Sequence, residues 1–204
     1  MNRYETFLQT NPQLNEEEAW PAHRFPEADY RYFRECGCLI CSLSVLLLES
    51  GLEENTEEKP FNPWILNQRL IACGAFTPSA DLELAEIQKL YPLRYCGSLP
   101  YSQKALEHAL ESGSLCLITV PGIRADRHFT ALLRLVANDA VVFDPLCGEK
   151  DLSAYDQVCE IREFRCAVGE KCKEIFGLRK NPERDKKKIE KAEIERRCCC
   201  ADCI

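Results

Sequence analysis

Apolar residues recur at helical spacing in two segments of the first half of the chain. Between Cys38 and Ser50 they repeat every three to four positions, and Gly51, a residue that commonly ends helices, follows. Asn62 and Pro63 open a second segment, because asparagine suits a helix N-cap and proline suits the first helical position. The pattern predicts one helix from Cys38 to about Ser50 and another that begins at Pro63.

Two shorter helical patterns come next, and then the period changes to that of β-strands. Residues 82–90 are amphipathic, and the residues after Pro100 place Leu106 and Leu110 on one face of a short helix. Strands with a turn at Asn138-Asp139 are predicted at residues 114–120, 128–139, 140–145 and 158–168. This order indicates an α+β fold in which N-terminal helices pack on a C-terminal antiparallel β-sheet.

The distribution of polar residues divides the chain into three parts. Residues 1–30 are polar, acidic and proline-containing, and we interpret them as an irregular or partly helical lead-in segment. Residues 31–178 contain the helical and strand patterns and form the predicted domain. Residues 179–204 are highly charged and cysteine-rich with few large apolar residues, so they are expected to form a solvated helix or a disordered tail.

Overall composition narrows the classes of function. The 204 residues are 46% hydrophobic and 29% charged, as in a soluble globular protein. The net charge of −7 argues against nucleic acid as a partner, since nucleic-acid-binding proteins normally carry a basic face. Neither a signal peptide nor an apolar run long enough to span a bilayer is recognisable, so a cytoplasmic location is expected.

The chain contains 14 cysteines, a high number. In a reducing compartment this number does not imply a disulfide framework. Cysteines in apolar or amphipathic surroundings are expected to be small buried hydrophobic residues; these are Cys73, Cys116, Cys159 and Cys166. Cys36 and Cys38 form a C-x-C pair rather than C-x-x-C, and no second pair with ligand spacing is present in the body of the chain, so zinc is a lesser alternative.

Only three histidines are available for acid–base chemistry. His23 lies in the lead-in segment and His108 lies within a helical pattern, where a solvated histidine is expected. His128 begins a predicted strand, and pairing of that strand with the next would bring it close to Asp144. Cys38 begins a predicted helix, whose dipole favours a thiolate. Together these residues indicate a Cys–His–Asp arrangement suited to nucleophilic catalysis.

Three segments, in this order, resemble one known family. Their sequences are GCLICSLSVLLLESG, FNPWILNQRLIACGAF and HFTALLRLVANDAVVFDPLCG. They are similar to the papain-like cysteine peptidases related to the bacteriocin-leader (double-glycine) processing peptidases, in particular to the stand-alone bacterial and phage-associated branch. The resemblance covers about Gly37 to Tyr155. It implies a papain-like fold with Cys38 as nucleophile, His128 as general base and acid, Asp144 as the residue that orients His128, and no metal or organic cofactor.

Two assignments stay open within this resemblance. The leader-processing branch carries an acidic residue, a cysteine and a glycine, a pattern that falls on Glu35, Cys36 and Gly37 and makes Cys36 the alternative nucleophile. The stand-alone branch favours Cys38. The family also has an upstream glutamine that donates to the oxyanion, and Gln13 is the nearest candidate for that role.

The resulting hypothesis is a cysteine peptidase or related thiol hydrolase that cleaves a peptide or isopeptide bond in a peptide or protein substrate. A catalytically inactive papain-like binding module is the first alternative, and a cysteine-rich metal-binding module is the second. The tail adds a hypothesis of membrane association. Residues 179–197 carry nine Lys/Arg and five Asp/Glu and precede four clustered cysteines, so a basic stretch and cysteine acylation could act together.

Overall fold

The computed structural model describes residues 4–122, 127–136 and 139–166 and has an α+β fold. The helices are α1 (Phe33–Cys36), α2 (Cys38–Glu49), α3 (Pro63–Ala72) and α4 (Gln103–Glu111). The strands are β1 (Leu93–Pro100), β2 (Leu115–Val120), β3 (His128–Val136), β4 (Asp139–Asp144), β5 (Gly148–Asp151) and β6 (Glu160–Cys166). Short 3₁₀ helices lie at Glu5–Phe7, Pro12–Asn15, Leu84–Lys89 and Leu152–Ala154.

The six strands form one sheet with the order β1-β6-β2-β3-β4-β5, and neighbouring strands are antiparallel. Strands β3 and β4 form a hairpin in which Val136 pairs with Asp139, and Asn138 of the predicted turn lies outside the described residues. The first residue of β3, His128, and the last residue of β4, Asp144, therefore lie at the same end of the hairpin. This register confirms the predicted pairing of the two strands.

The sheet is covered on both faces. Leu115 and Leu117 belong to a core cluster with α2 and α3, whereas Cys116 and Ile118 belong to a second cluster with α4, as the alternation of strand side chains requires. Helix α2 is apolar around most of its circumference, and nine of its residues are buried. A helix that is apolar all round lies in the core, and Cys38, its first residue, is buried with it.

Residues 4–30 pack into the main core, which corrects their interpretation as a lead-in segment. The buried side chains of this segment include Tyr4, Phe7, Leu14, Trp20 and Phe25. Its backbone is tied to the residues that lead into α1, since the N–H groups of Ala19 and Trp20 donate to the carbonyl oxygen of Arg31. The segment is irregular, so its buried residues have no helical or strand period.

Most elements predicted from the periodicity are present. Asn62 caps α3, and its side chain accepts a hydrogen bond of 3.0 Å from the N–H of Ile65. Leu106 and Leu110 of α4 are buried as predicted. The pattern at residues 82–90 forms a 3₁₀ helix rather than an α-helix, and β1 and β5 were not predicted. The end of the predicted domain and the tail at 179–204 lie outside the described residues.

Three properties of the described ranges bear on the sequence hypotheses. Eight of the nine cysteines in these ranges are free thiols, but Cys166, which was expected to be a buried thiol, is disulfide-bonded. No helix in them is both long enough and apolar enough to cross a membrane. They also contain no group of three or more His, Cys, Asp or Glu side chains arranged to hold a metal ion.

Candidate active site

Cys38 is the first residue of α2, and Gly37 alone separates it from the end of α1. A Cβ atom on Gly37 would lie 2.5 Å from Cδ1 of Phe33 and 2.7 Å from its carbonyl oxygen, so only glycine permits this approach of the chain. The first N–H groups of a helix have no acceptor within it, and the helix dipole places partial positive charge there. The Cys38 thiol and backbone N–H therefore lie at the positive end of the α2 dipole.

The hairpin of β3 and β4 places an imidazole against a carboxylate. Nε2 of His128 lies 2.8 Å from Oδ1 of Asp144, and both side chains are largely buried. The hairpin is tied to α2 beside this pair, because the Ser42 hydroxyl donates a 2.8 Å hydrogen bond to the carbonyl oxygen of Phe129. The positions of Cys38 and His128 are thus coupled through two rigid elements.

His128 is hydrogen-bonded to Asp144, and Cys38 lies close enough to contribute to the raised pKa of His128. Because Nε2 is engaged by Asp144, Nδ1 is the nitrogen left for the thiol. Burial by itself lowers the pKa of His128, but the hydrogen bonds and charges of Asp144 and Cys38 outweigh it and raise that pKa from 6.5 to about 9. The imidazole is therefore held in its protonated form at neutral pH.

The Asp144 carboxylate is 4% exposed and accepts several hydrogen bonds. Its Oδ1 accepts from the N–H of Leu146 at 2.9 Å as well as from His128, and its Oδ2 accepts from the Tyr155 hydroxyl at 2.6 Å. Burial acts to raise the pKa of Asp144, but these donors lower it from 3.8 to about 2. The carboxylate stays ionised and can stabilise an imidazolium.

Cys38 and His128 line a cavity of about 770 Å³. Trp20 and Phe76 contribute aromatic surface to it, and their rings pack against each other edge-on with centroids 6.4 Å apart. The charged residues of its lining are Arg34, Glu35, Asp81 and Arg127. A cavity of this size, partly apolar and next to convergent polar groups, is typical of a binding site for a small molecule or a peptide side chain.

The structure does not support Gln13 as the upstream glutamine. Gln13 is exposed on a 3₁₀ helix and lines a different cavity, which contains neither Cys38 nor His128. Gln9 instead lines the same cavity as those two residues. It is 4% exposed, and its backbone N–H donates a 2.8 Å hydrogen bond to the carbonyl oxygen of Pro145.

One atom of the Gln9 side-chain amide, Oε1, is buried without a hydrogen-bond partner among the described residues. A buried polar atom without a partner is costly, and it is often found where a ligand supplies the missing bond. The oxygen and nitrogen of an amide exchange places by rotation, so the group can present a donor to the cavity.

The other sequence candidates lie in different surroundings. Cys36 lines the cavity, but burial, together with the smaller effects of the charges of Cys38, Glu35 and Asp81, raises the pKa of its thiol to about 12. Cys41 is fully buried within α2, and burial raises the pKa of its thiol well above 9.0. Of the three clustered thiols, Cys38 is the one that contributes to the raised pKa of His128.

The arrangement can perform one kind of chemistry directly: it can deliver a sulfur nucleophile to a carbonyl carbon and a proton to the leaving group. The other two histidines, His23 and His108, are exposed and do not line the cavity.

Comparison with protein-family models, with curated proteins and with solved structures finds no match for this chain.

Proposed function

We propose that the chain is a papain-like thiol hydrolase, in the first place a cysteine peptidase, that cleaves a peptide or isopeptide bond. The observation that carries the proposal is the position of His128, whose Nε2 lies 2.8 Å from Oδ1 of Asp144 and which lines the same cavity as Cys38. A thiol, an imidazole and a carboxylate in this order are the parts that nucleophilic acyl transfer needs.

In the first half of the proposed reaction, the Cys38 thiolate attacks the carbonyl carbon of the substrate. A carbon–sulfur bond forms, and the electron pair of the carbonyl double bond moves to its oxygen. When that pair returns, the carbon–nitrogen bond breaks, and protonated His128 gives its proton to the leaving amine. The product is an acyl thioester on Cys38, with His128 left neutral.

In the second half, neutral His128 takes a proton from water, and the water oxygen attacks the thioester carbon. The carbon–sulfur bond breaks, Cys38 leaves as a thiolate, and the acid is released with His128 protonated again. Asp144 stays ionised throughout and stabilises each imidazolium by charge, because its pKa lies near 2. Neither a metal ion nor an organic cofactor takes part in these steps.

Two donors are proposed for the oxyanion. The backbone N–H of Cys38 is one of the helix N–H groups without an intrahelical acceptor. The side-chain amide of Gln9 is the other, since it lines the same cavity as Cys38 and rotation of the amide would place its NH₂ group at the unpaired position of Oε1. In comparable sites, loss of one such donor costs about 2.7–4 kcal/mol of transition-state stabilisation.

The proposal is tested by the reactivity of each cysteine toward iodoacetamide near neutral pH, read out by peptide mass spectrometry. Cys38 is expected to react faster than the exposed thiols of Cys96 and Cys147, although it is buried, because a neighbouring imidazole makes a thiol more reactive. His128→Ala should remove this advantage, and His108→Ala should leave it unchanged. A Cys38 reactivity that does not depend on His128 would contradict the proposal.

Turnover separates an enzyme from an inactive binding module of the same fold. If Cys38 reacts in a His128-dependent way and a panel of peptide amides is also cleaved, the peptidase proposal stands. If that reactivity is present but no ester or amide is turned over, the peptidase proposal is wrong and the chain is better described as an inactive binding module.

A further inference from the structure

Tyr155 contacts the candidate site from outside the Cys–His–Asp arrangement. It lies directly after the 3₁₀ helix Leu152–Ala154 and donates its hydroxyl to Oδ2 of Asp144 at 2.6 Å. This length is typical of a charge-assisted O–H···O⁻ hydrogen bond. We propose that Tyr155 is a positioning residue that holds the Asp144 carboxylate in the orientation in which it supports His128; this inference rests on the proposed function.

The two oxygens of Asp144 are held differently. Oδ1 accepts from Nε2 of His128 at 2.8 Å and from the N–H of Leu146 at 2.9 Å. Because both of these hydrogen bonds end on Oδ1, they alone would still allow the carboxylate group to rotate about that oxygen. The hydroxyl of Tyr155 engages the other oxygen and fixes the plane of the group. Cys147 is a further contact of the carboxylate, but a thiol is a weak donor.

The Tyr155 side chain is itself held in place. Its backbone N–H donates to the carbonyl oxygen of Leu152 at 3.2 Å, and its ring packs against the core cluster that contains Leu152. The ammonium of Lys150 lies 3.8 Å from the ring centroid, within cation–π distance. Burial and then the hydrogen bond to Asp144 raise the pKa of Tyr155, so the hydroxyl keeps the proton that it donates.

A positioning role and a purely electrostatic role predict opposite effects on His128. If Tyr155 only withdrew charge from the carboxylate, its removal would leave a stronger acceptor, and the pKa of His128 would rise. If Tyr155 positions the carboxylate, its removal leaves a buried Oδ2 without its hydroxyl donor. The carboxylate then turns toward another donor or takes up a proton, and the pKa of His128 falls.

The test is the Tyr155→Phe variant, with the pKa of His128 measured by NMR titration of the histidine ring. The expected fall is about one unit or more, the scale of losing a charged neighbour. At pH values above both pKa values this corresponds to about tenfold less imidazolium. Tyr101→Phe is the matched control, because its hydroxyl bonds Gln103 at 3.3 Å and not Asp144, and its titration should match the unaltered protein.

A double variant shows whether Tyr155 acts through Asp144. If it does, Asp144→Ala combined with Tyr155→Phe should react at Cys38 as slowly as Asp144→Ala alone, because alanine leaves the Tyr155 hydroxyl no carboxylate or amide to hold, and this comparison remains usable if Tyr155→Phe alone does not fold. A folded Tyr155→Phe protein whose His128 pKa is unchanged or raised would overturn the inference, as would an additive loss in the double variant. The NMR titration requires no turnover, so its result is independent of the result for the proposed function.

Discussion

Replacing Asp144 with asparagine removes the charge of the carboxylate and keeps its shape. The amide oxygen of asparagine can still accept from Nε2 of His128 and from the N–H of Leu146, and its NH₂ group can donate to the hydroxyl oxygen of Tyr155. We therefore expect the variant to fold. The variant loses the negative charge beside the imidazole, so any change in His128 reports on that charge.

The size of the change can be worked out from the environment of His128. Its pKa is raised from 6.5 to about 9, by Asp144 and Cys38 together and against the effect of burial. At 1.36 kcal/mol per pKa unit, this shift is a preference of roughly 3 kcal/mol for the protonated imidazole. An opposite charge in contact commonly accounts for about 1–3 units. We expect Asp144→Asn to lower the pKa of His128 by about 1–2 units.

The measurement is an NMR titration of the histidine ring between pH 5 and 10, in which the His128 signal is assigned by its loss in His128→Ala. The three histidines of the chain make the spectrum simple. Asp139→Asn is the matched control, because Asp139 bonds Ser153 and the N–H of Ala140 and not His128. If the pKa of His128 stays near 9 in Asp144→Asn, the carboxylate is not the group that supports the imidazolium, and the orienting role of Asp144 is wrong.

The oxyanion donor, the α1–α2 junction and the ion pair each give a further prediction. Gln9→Ala should lower kcat about 100- to 1000-fold through loss of an oxyanion donor, whereas Gln13→Ala should be neutral; equal effects on kcat would contradict the reassignment. Gly37→Ala should lower the free energy of unfolding by about 1–3 kcal/mol, because the new Cβ would clash with Phe33. A free energy of unfolding, measured in urea, that equals that of the unaltered protein would contradict this prediction. The ion pair of Asp144 and His128 should stabilise the fold mostly between about pH 4 and 6.5. Because the pKa of His128 is raised, this stabilisation is lost as the pH rises through about 9. Because the pKa of Asp144 is lowered, it is also lost as the pH falls through about 2. Urea unfolding should therefore separate the unaltered protein from Asp144→Asn more at pH 6 than at pH 10.

Hydrophobic periodicity and apolar runs were sufficient for the elements that contribute most of the buried side chains. Helices α2, α3 and α4 and strands β2, β3, β4 and β6 match the predicted segments closely. Strand β1 was missed because its pairing with β6 is interrupted next to Gly97, and most of its side chains are exposed. Strand β5 was missed because it is four residues long and polar. Such edge strands form because a neighbouring strand offers hydrogen bonds, which no local pattern encodes.

The residues of the candidate site whose positions are set by local secondary structure were predictable from the sequence. The start of α2 indicated Cys38, and the hairpin indicated the proximity of His128 and Asp144. Gln9 was not predictable, because its place is set by a backbone hydrogen bond to Pro145, which is far away in sequence. Gln9 and Gln13 both lie in a polar, proline-containing stretch, and only tertiary packing buries one and exposes the other.

The central claim is that Cys38 is a nucleophile activated by His128, and acylation of Cys38 tests it most directly. The protein is mixed with p-nitrophenyl acetate, quenched in acid at intervals and analysed by mass spectrometry for the acetylated residue. A thioester should form on Cys38 and then decay, equally in the Cys36→Ser variant, and His128→Ala should slow its turnover at least about a hundredfold. Acetylation of Cys36 in place of Cys38, or a Cys38 thioester that forms and decays equally fast in His128→Ala, would contradict the claim.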